Sequence, residues 1–354
     1  MHASINPQLR SRLLLAPYDI RRAIYAHLIP NRVHVFLRGG KVHLSVCVAS
    51  RQEDHDDGFE RKSTPSGDSS DSIWARRLRS SWGPHWKCEE VASSRVDDNC
   101  TVACGIIRDI FLVCKTMYID VAELLADIAV FNITDPNTLD RLLKSTGICS
   151  SGISLTSGFL ASVFPCIKEL DITLRLPLAD CKALDNPAAD STPDIPLAGS
   201  STAGGESQLA VWLQLCPAIA QLKSLRKLRI WLDHADISSW SVVNERAILS
   251  PLGLLASIPD LDICINLPKL HPRLESPDRH FMEGSPAPTF EIHRRLRQRY
   301  HCEEGRNGHL WVRSKIDFPV MLEICEFIDA LGNEVTPMTE IEEKERAMWK
   351  RGVD

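Results

Sequence analysis

The sequence predicts an α/β protein: an α+β region at the N-terminal end, then an irregular parallel sheet with covering helices. Three observations carry this. Alternating apolar phrases recur behind helix-patterned stretches, at Leu170-Asp171-Ile172-Thr173-Leu174-Arg175-Leu176, Leu228-Arg229-Ile230-Trp231-Leu232 and Leu261-Asp262-Ile263-Cys264-Ile265. Helix and strand in alternation argue for parallel strands with helices laid on them. Val33–Leu37 and Val42–Val46 flank Gly39-Gly40, the pattern of a β-hairpin. Apolar residues at 107, 110, 111, 114, 118, 121, 125 and 128 form a stripe at helical period, which predicts a helix over 106–128.

The remaining elements follow in order. Pro17–Leu28 reads as a helix, with Pro17 in the first turn, Asp19 at the positive end, Ile20, Ile24 and Leu28 four apart, and Pro30-Asn31 as the stop. Residues 51–72 are acidic and rich in Ser, Pro and Gly, too poor in apolar surface to order themselves. Trp74, Trp82 and Trp86 mark the return of packed structure. Val130–Ile133 reads as a strand, and Asp135-Pro136 opens a helix bearing Leu139, Leu142 and Leu143. Helical patterns at 159–164, 209–222 and 242–258 precede the three strand phrases. Ala179–Ser207 reads as a second unordered insert. Phe290–Tyr300 is expected to be a basic helix, His309–Ile316 a strand, and Thr339–Lys350 a helix with Thr339 and Glu342 as a capping box. The domain reading is 1–145, 146–335 and a C-terminal helix or tail at 336–354.

The chain has 354 residues, 44% hydrophobic and 25% charged, with 41 Lys+Arg against 46 Asp+Glu and a net charge of −5. That balance argues against a nucleic-acid coat or a polybasic membrane anchor. No apolar run approaches the roughly 20 residues that span a bilayer, and the first residues carry no signal-peptide stretch. Twelve cysteines are scattered through apolar patterns such as those around Cys114 and Cys264, where they read as reduced, buried thiols, so an intracellular location, cytoplasmic or nuclear, is expected.

No phosphate loop, GxGxxG turn, Gly-x-Ser-x-Gly elbow or His-Glu-x-x-His helix occurs, so the chain is expected not to be an enzyme and to need no cofactor. One alternative has chemistry behind it. His85-x-x-Cys88 followed by Cys100-x-x-x-Cys104 offers three thiolates and an imidazole, enough for tetrahedral zinc in a zinc-stabilised or hydrolytic protein. The competing reading is that Cys88 and Cys104 are core residues. Arg294, Arg295, Arg297 and Arg299 form the one concentrated basic run, readable as an RNA or acidic-partner surface or, more commonly, as a solvated helix face.

Leu13-Leu14-Leu15-Ala16-Pro17-Tyr18-Asp19-Ile20-Arg21-Arg22-Ala23-Ile24-Tyr25-Ala26-His27-Leu28-Ile29-Pro30 resembles the opening of an F-box, in the LLxLPxEIRxxIYxxLLP form frequent in filamentous fungi. Val113-Cys114-Lys115-Thr116-Met117-Tyr118 resembles the helix that closes such F-box-like domains. The hairpin and the Trp74–Glu90 stretch between them are similar to an insertion in a family of uncharacterised fungal proteins. The strand phrases resemble leucine-rich repeats at irregular spacing. The resemblance implies a protein–protein interaction module: a ubiquitin-ligase adaptor that docks the Skp-type subunit of a cullin-RING ligase and uses its C-terminal half to select a protein substrate. Leu13, Leu14, Pro17, Ile20, Ile24 and Leu28 match the docking positions. Ala16 stands where Leu is usual, Asp19 where Glu is usual, and some 80 residues divide a motif that is normally continuous. Ile20, Ile24 and Leu28 could instead pack on the 107–128 stripe.

Overall fold

The computed structural model describes residues 11–49, 58–63, 71–93, 113–145, 163–185, 208–305, 307–331 and 335–352. In chain order its helices are α1 (Arg12–Leu15), α2 (Tyr18–Leu28), α3 (Ser72–Leu78), α4 (Trp86–Ser93), α5 (Lys115–Ile128), α6 (Pro136–Ser145), α7 (Leu178–Asp185), α8 (Gln208–Ile219), α9 (Glu245–Leu249), α10 (Leu322–Ala330) and α11 (Met338–Lys350). Its strands are β1 (Arg32–Arg38), β2 (Lys41–Val46), β3 (Val130–Ile133), β4 (Glu169–Leu176), β5 (Lys227–His234), β6 (Asp262–Pro268), β7 (Glu291–Arg295), β8 (Tyr300–Glu304) and β9 (Leu310–Ser314).

Seven strands form one sheet in the order β2-β1-β3-β4-β5-β6-β7, parallel throughout except for the β1–β2 hairpin. The alternation of side chains along each strand divides the sheet into two unlike faces. On one, Val35, Ile133, Ile172, Ile230 and Ile265 lie side by side across five strands, all buried. They share a core with Val121, Leu124 and Leu125 of α5, Leu139 and Leu142 of α6, and Trp212 and Leu215 of α8. On the other, His34, Asn132, Asp171, Arg229, Cys264 and Glu291 form a polar row across six strands. Residues 58–63 and 71–93 and the separate β8–β9 hairpin cover part of that polar face. Gly83, at φ +53°, lets this layer come down on β4 and β5, since a Cβ there would stand 3.1 Å from the Trp231 ring.

The three strand phrases become β4, β5 and β6, and the Gly-Gly hairpin forms with both glycines at positive φ. Ile230 pairs with Ile265 rather than Ile263, so the third copy sits two residues further along with its faces unchanged. The sheet also runs across the expected boundary at 145/146, because β3 pairs with β4.

Several expectations are corrected. The basic helix over 290–300 is absent: Glu291–Arg295 is the edge strand β7 and Tyr300 opens β8, because Phe290 and Ile292, two apart, turn to the core while His293 and Arg295 line the polar face. Residues 58–63, inside the first expected insert, are built into the fold. Arg61 is buried and donates to the carbonyls of Arg77 and Gly83, and the Trp74 indole donates to that of Gly58. The start of the second insert is helix α7, with Cys181 buried, while 186–207 lie outside the described residues. Helix α5 begins at Lys115, where Cys114 adopts an extended N-cap conformation, so the stripe does not run through as one helix; 106–112 lie outside the described residues. Helix α11 is capped by Pro337, not by a Thr339/Glu342 box. Cys264 is not a core thiol but half-exposed on the polar face.

Candidate functional site

Helix α2 is amphipathic in a way that leaves its apolar side outward. Tyr25 and, just beyond the helix, Ile29 are buried in the core. Arg21 reaches Asp120 of α5 at 2.7 Å and the carbonyl of Ala16 at 2.8 Å, and Arg22 pairs with Asp127. The Asp120 carboxylate, hydrogen-bonded to Arg21, raises that guanidinium above its ordinary value. Polar clamps on one side turn the other side out: Ile20 is 54% exposed, Ile24 41% and Leu28 48%. The expected docking set therefore divides. Leu13 and Leu14 pack against the core, while Pro17, Ile20, Ile24 and Leu28 are exposed and not buried against the described part of the stripe, 113–128.

The polar face of the sheet holds a cleft of about 320 Å³ lined by Asp171, Arg229, Trp231, Glu291 and His293 among others. Arg229 stands 3.1 Å from both Asp171 and Glu169, and His293 is 2.9 Å from Glu291. Burial pushes the Asp171 carboxyl upward, and the nearby Arg229 and Arg32 oppose it only in part. Cys264, Glu291 and His293 could together offer three ligand atoms to a metal, on an open surface.

The basic run does not make a patch. Arg294 forks onto the buried Glu245, Arg297 donates through Nε to the buried Asp233, and Arg299 pairs with Glu326, while Arg295 donates to Asn266. In β7 the alternation of a strand sends Arg294 and Arg295 to opposite sides, and Arg297 and Arg299, in the link between β7 and β8, meet their own acceptors.

The metal candidates regroup. Cys100 and Cys104 lie outside the described residues, and His85 and Cys88 meet His34 and Cys47 instead. His34 on β1 faces Ser45 on β2, and Cys47, two residues past Ser45, stays on the same side of the hairpin. His85 ends a turn of 3-10 helix that runs into α4, which carries Cys88. One ligand atom from each of the four lies within 4.8 Å of the others. Sγ of Cys47 and of Cys88 are 3.9 Å apart, and Nδ1 of His85 is 3.6 Å from the first and 3.9 Å from the second. The backbone N–H of Val48 donates to Cys88 Sγ at 3.3 Å. His34 has no exposed surface, and neither ring nitrogen reaches a partner in hydrogen-bond geometry. Burial pulls its pKa down to about 4, the nearby Cys47 sulfur opposing this only in part, so the ring is neutral at pH 7. Hydrogen bonding from Cys88 pushes the Cys47 thiol down and correspondingly drives Cys88 up. His34 and Cys47 are not among the candidates read from the sequence; the two-residue period of the hairpin, which puts both on one face, is the signal that would find them.

Comparison of the chain with protein-family models, with curated proteins and with solved structures gives no match.

Proposed function

We propose that this protein is a non-enzymatic protein–protein interaction module of F-box type: α2 docks the Skp-type adaptor of a cullin-RING ubiquitin ligase, and the leucine-rich-repeat-like sheet presents its polar face to a protein substrate. One observation carries the reading: Ile20, Ile24 and Leu28 form an outward apolar face on a helix whose opposite side is fixed to α5 by ion pairs. Burying what remains exposed of each such side chain is worth about 1 kcal/mol. Half-exposed aliphatic residues at four-residue spacing are the form in which an amphipathic helix offers anchors to a groove. A sheet with helices on one face and charged residues on the other supports the second half of the reading. The cleft along Asp171, Arg229 and Glu291 would select a substrate segment carrying both charge signs.

Affinity purification of the tagged chain from its native cell type, beside an Ile20→Asp, Ile24→Asp variant of unchanged melting temperature, tests this. Adaptor and cullin should accompany the wild type and be lost from the variant. Their absence from the wild-type sample would overturn the reading.

A further inference from the structure

We propose that His34, Cys47, His85 and Cys88 form a structural zinc site that fastens the β1–β2 hairpin to α4. The separations fit the ion. With Zn–S at about 2.3 Å and Zn–N at about 2.0–2.1 Å, tetrahedral coordination sets about 3.8 Å between two sulfurs and about 3.5 Å between a sulfur and a nitrogen. The sulfur pair stands at 3.9 Å, and His85 Nδ1 at 3.6 and 3.9 Å from the two sulfurs. A disulfide would need about 2.05 Å between the sulfurs, so the thiols are free to ligate.

His34 supplies an independent argument. A fully buried imidazole with both nitrogens lacking hydrogen bonds is costly to desolvate, and it needs a compensating interaction. Its ring lies against Trp82 and edge-on to His85, each at 4.8 Å between centroids, which fixes its orientation. A metal bond from one nitrogen provides what the protein groups around it do not. Two soft thiolates with two imidazoles select zinc among the common divalent ions, and four protein ligands leave no open position, which makes the site structural rather than catalytic. The Val48 N–H bond to Cys88 is the kind of outer contact that holds a ligating sulfur in place.

The local core explains the need. Among the described residues, the satellite cluster under α4 has Trp82, Cys88 and Ala92 buried, with Phe36, Cys47 and Ala49 packed on it. So small an apolar cluster gives little cohesion, and a bound ion supplies the rest. Binding Zn²⁺ releases the protons of both thiols to solvent, leaving the two thiolates to offset the dication's charge. This inference is independent of whether α2 docks an adaptor.

The experiment is metal analysis of reduced, full-length protein purified without chelator. One zinc per chain is expected, falling at least tenfold in the Cys47→Ser, Cys88→Ser variant and staying at one in the Cys100→Ser, Cys104→Ser variant. Should the first variant fail to fold, cobalt exchange decides. Wild type loaded with Co²⁺ should show tetrahedral d–d absorption with thiolate-to-cobalt charge transfer, and His34→Cys should retain one metal with a stronger charge-transfer band. Folded, reduced wild type with neither zinc nor cobalt uptake would overturn the site, as would a Cys47–Cys88 disulfide. So would zinc that departs with Cys100 and Cys104.

Discussion

Two buried polar clusters lie under the covering layer on the same face of the sheet, and they are completed differently. Toward β5, Asp233 and His234 meet a cation from the chain itself. Arg297 donates to Asp233 at 2.9 Å and to the His234 carbonyl at 3.0 Å, while Arg175 ties Gln298 to the carbonyls of Leu78 and Ser80. Burial alone would raise the Asp233 carboxyl, but Arg297, and after it Arg175, outweigh this and hold it below the usual carboxylate range. Toward β1, the His34, Cys47, His85 and Cys88 group holds two thiols and two imidazoles, and the nearby Arg32 donates instead to the Ala49 carbonyl and pairs with Asp171. On the proposed zinc site, the difference lies in where the compensating cation comes from: the sequence in one cluster, solution in the other.

The largest expected effect breaks the self-sufficient cluster. Arg297→Leu leaves Asp233 buried without its cation and should cost about 3–5 kcal/mol in chemical denaturation, whereas Asp233→Leu with Arg297→Leu should recover most of that loss. A single and double variant of equal stability would show that the pair is not coupled. Chelation addresses the other cluster: excess chelator should lower the melting temperature of wild type by about 5–10 °C, equivalent to about 3 kcal/mol, and should leave a protein lacking Cys47 and Cys88 unchanged.

Acid sharpens the contrast further. His234 and His301, which face Asp233, Arg297 and Arg175, are pulled down to about 4, first by burial and then by Arg297. Their folded values lie below the unfolded value of about 6.5, so both states are neutral above that pH. Below it the unfolded chain takes up protons that the folded chain refuses. Stability of metal-stripped protein should therefore fall as pH drops from about 6.5 to about 4 and then level off as far as these groups are concerned, by about 3 kcal/mol for each histidine. His301→Gln should flatten part of that slope, and an unchanged slope would remove His301 from the account. The smallest effect concerns the cover over both clusters. Gly83→Ala forces a Cβ toward Trp231 at positive φ and should cost about 1–2 kcal/mol in thermal melts, against no measurable change for Gly40→Asn in the hairpin turn.

Periodicity made much of this legible. The hairpin, β3 and the three strand phrases were readable because alternation of side chains is a local property that the sheet retains. The basic run through β7 and the link after it was not readable, since its four arginines resemble a helix face until Glu245, Asp233 and Glu326 are brought to them by distant chain. The metal candidates were half legible for the same reason. His85 and Cys88 are neighbours in sequence, but their companions come from a hairpin some forty residues away, and only its fold places Cys47 beside them. The outward turn of Ile20, Ile24 and Leu28 was equally a tertiary matter, settled by where Asp120 and Asp127 meet Arg21 and Arg22.

The most direct test of the account is titration calorimetry of purified full-length protein with a recombinant Skp-type adaptor, comparing wild type with Ile20→Asp, Ile24→Asp. The account predicts saturable one-to-one binding by wild type, weakened at least a hundredfold in a variant whose melting temperature matches it. No heat of binding from wild type, or equal affinity in the two, would contradict it.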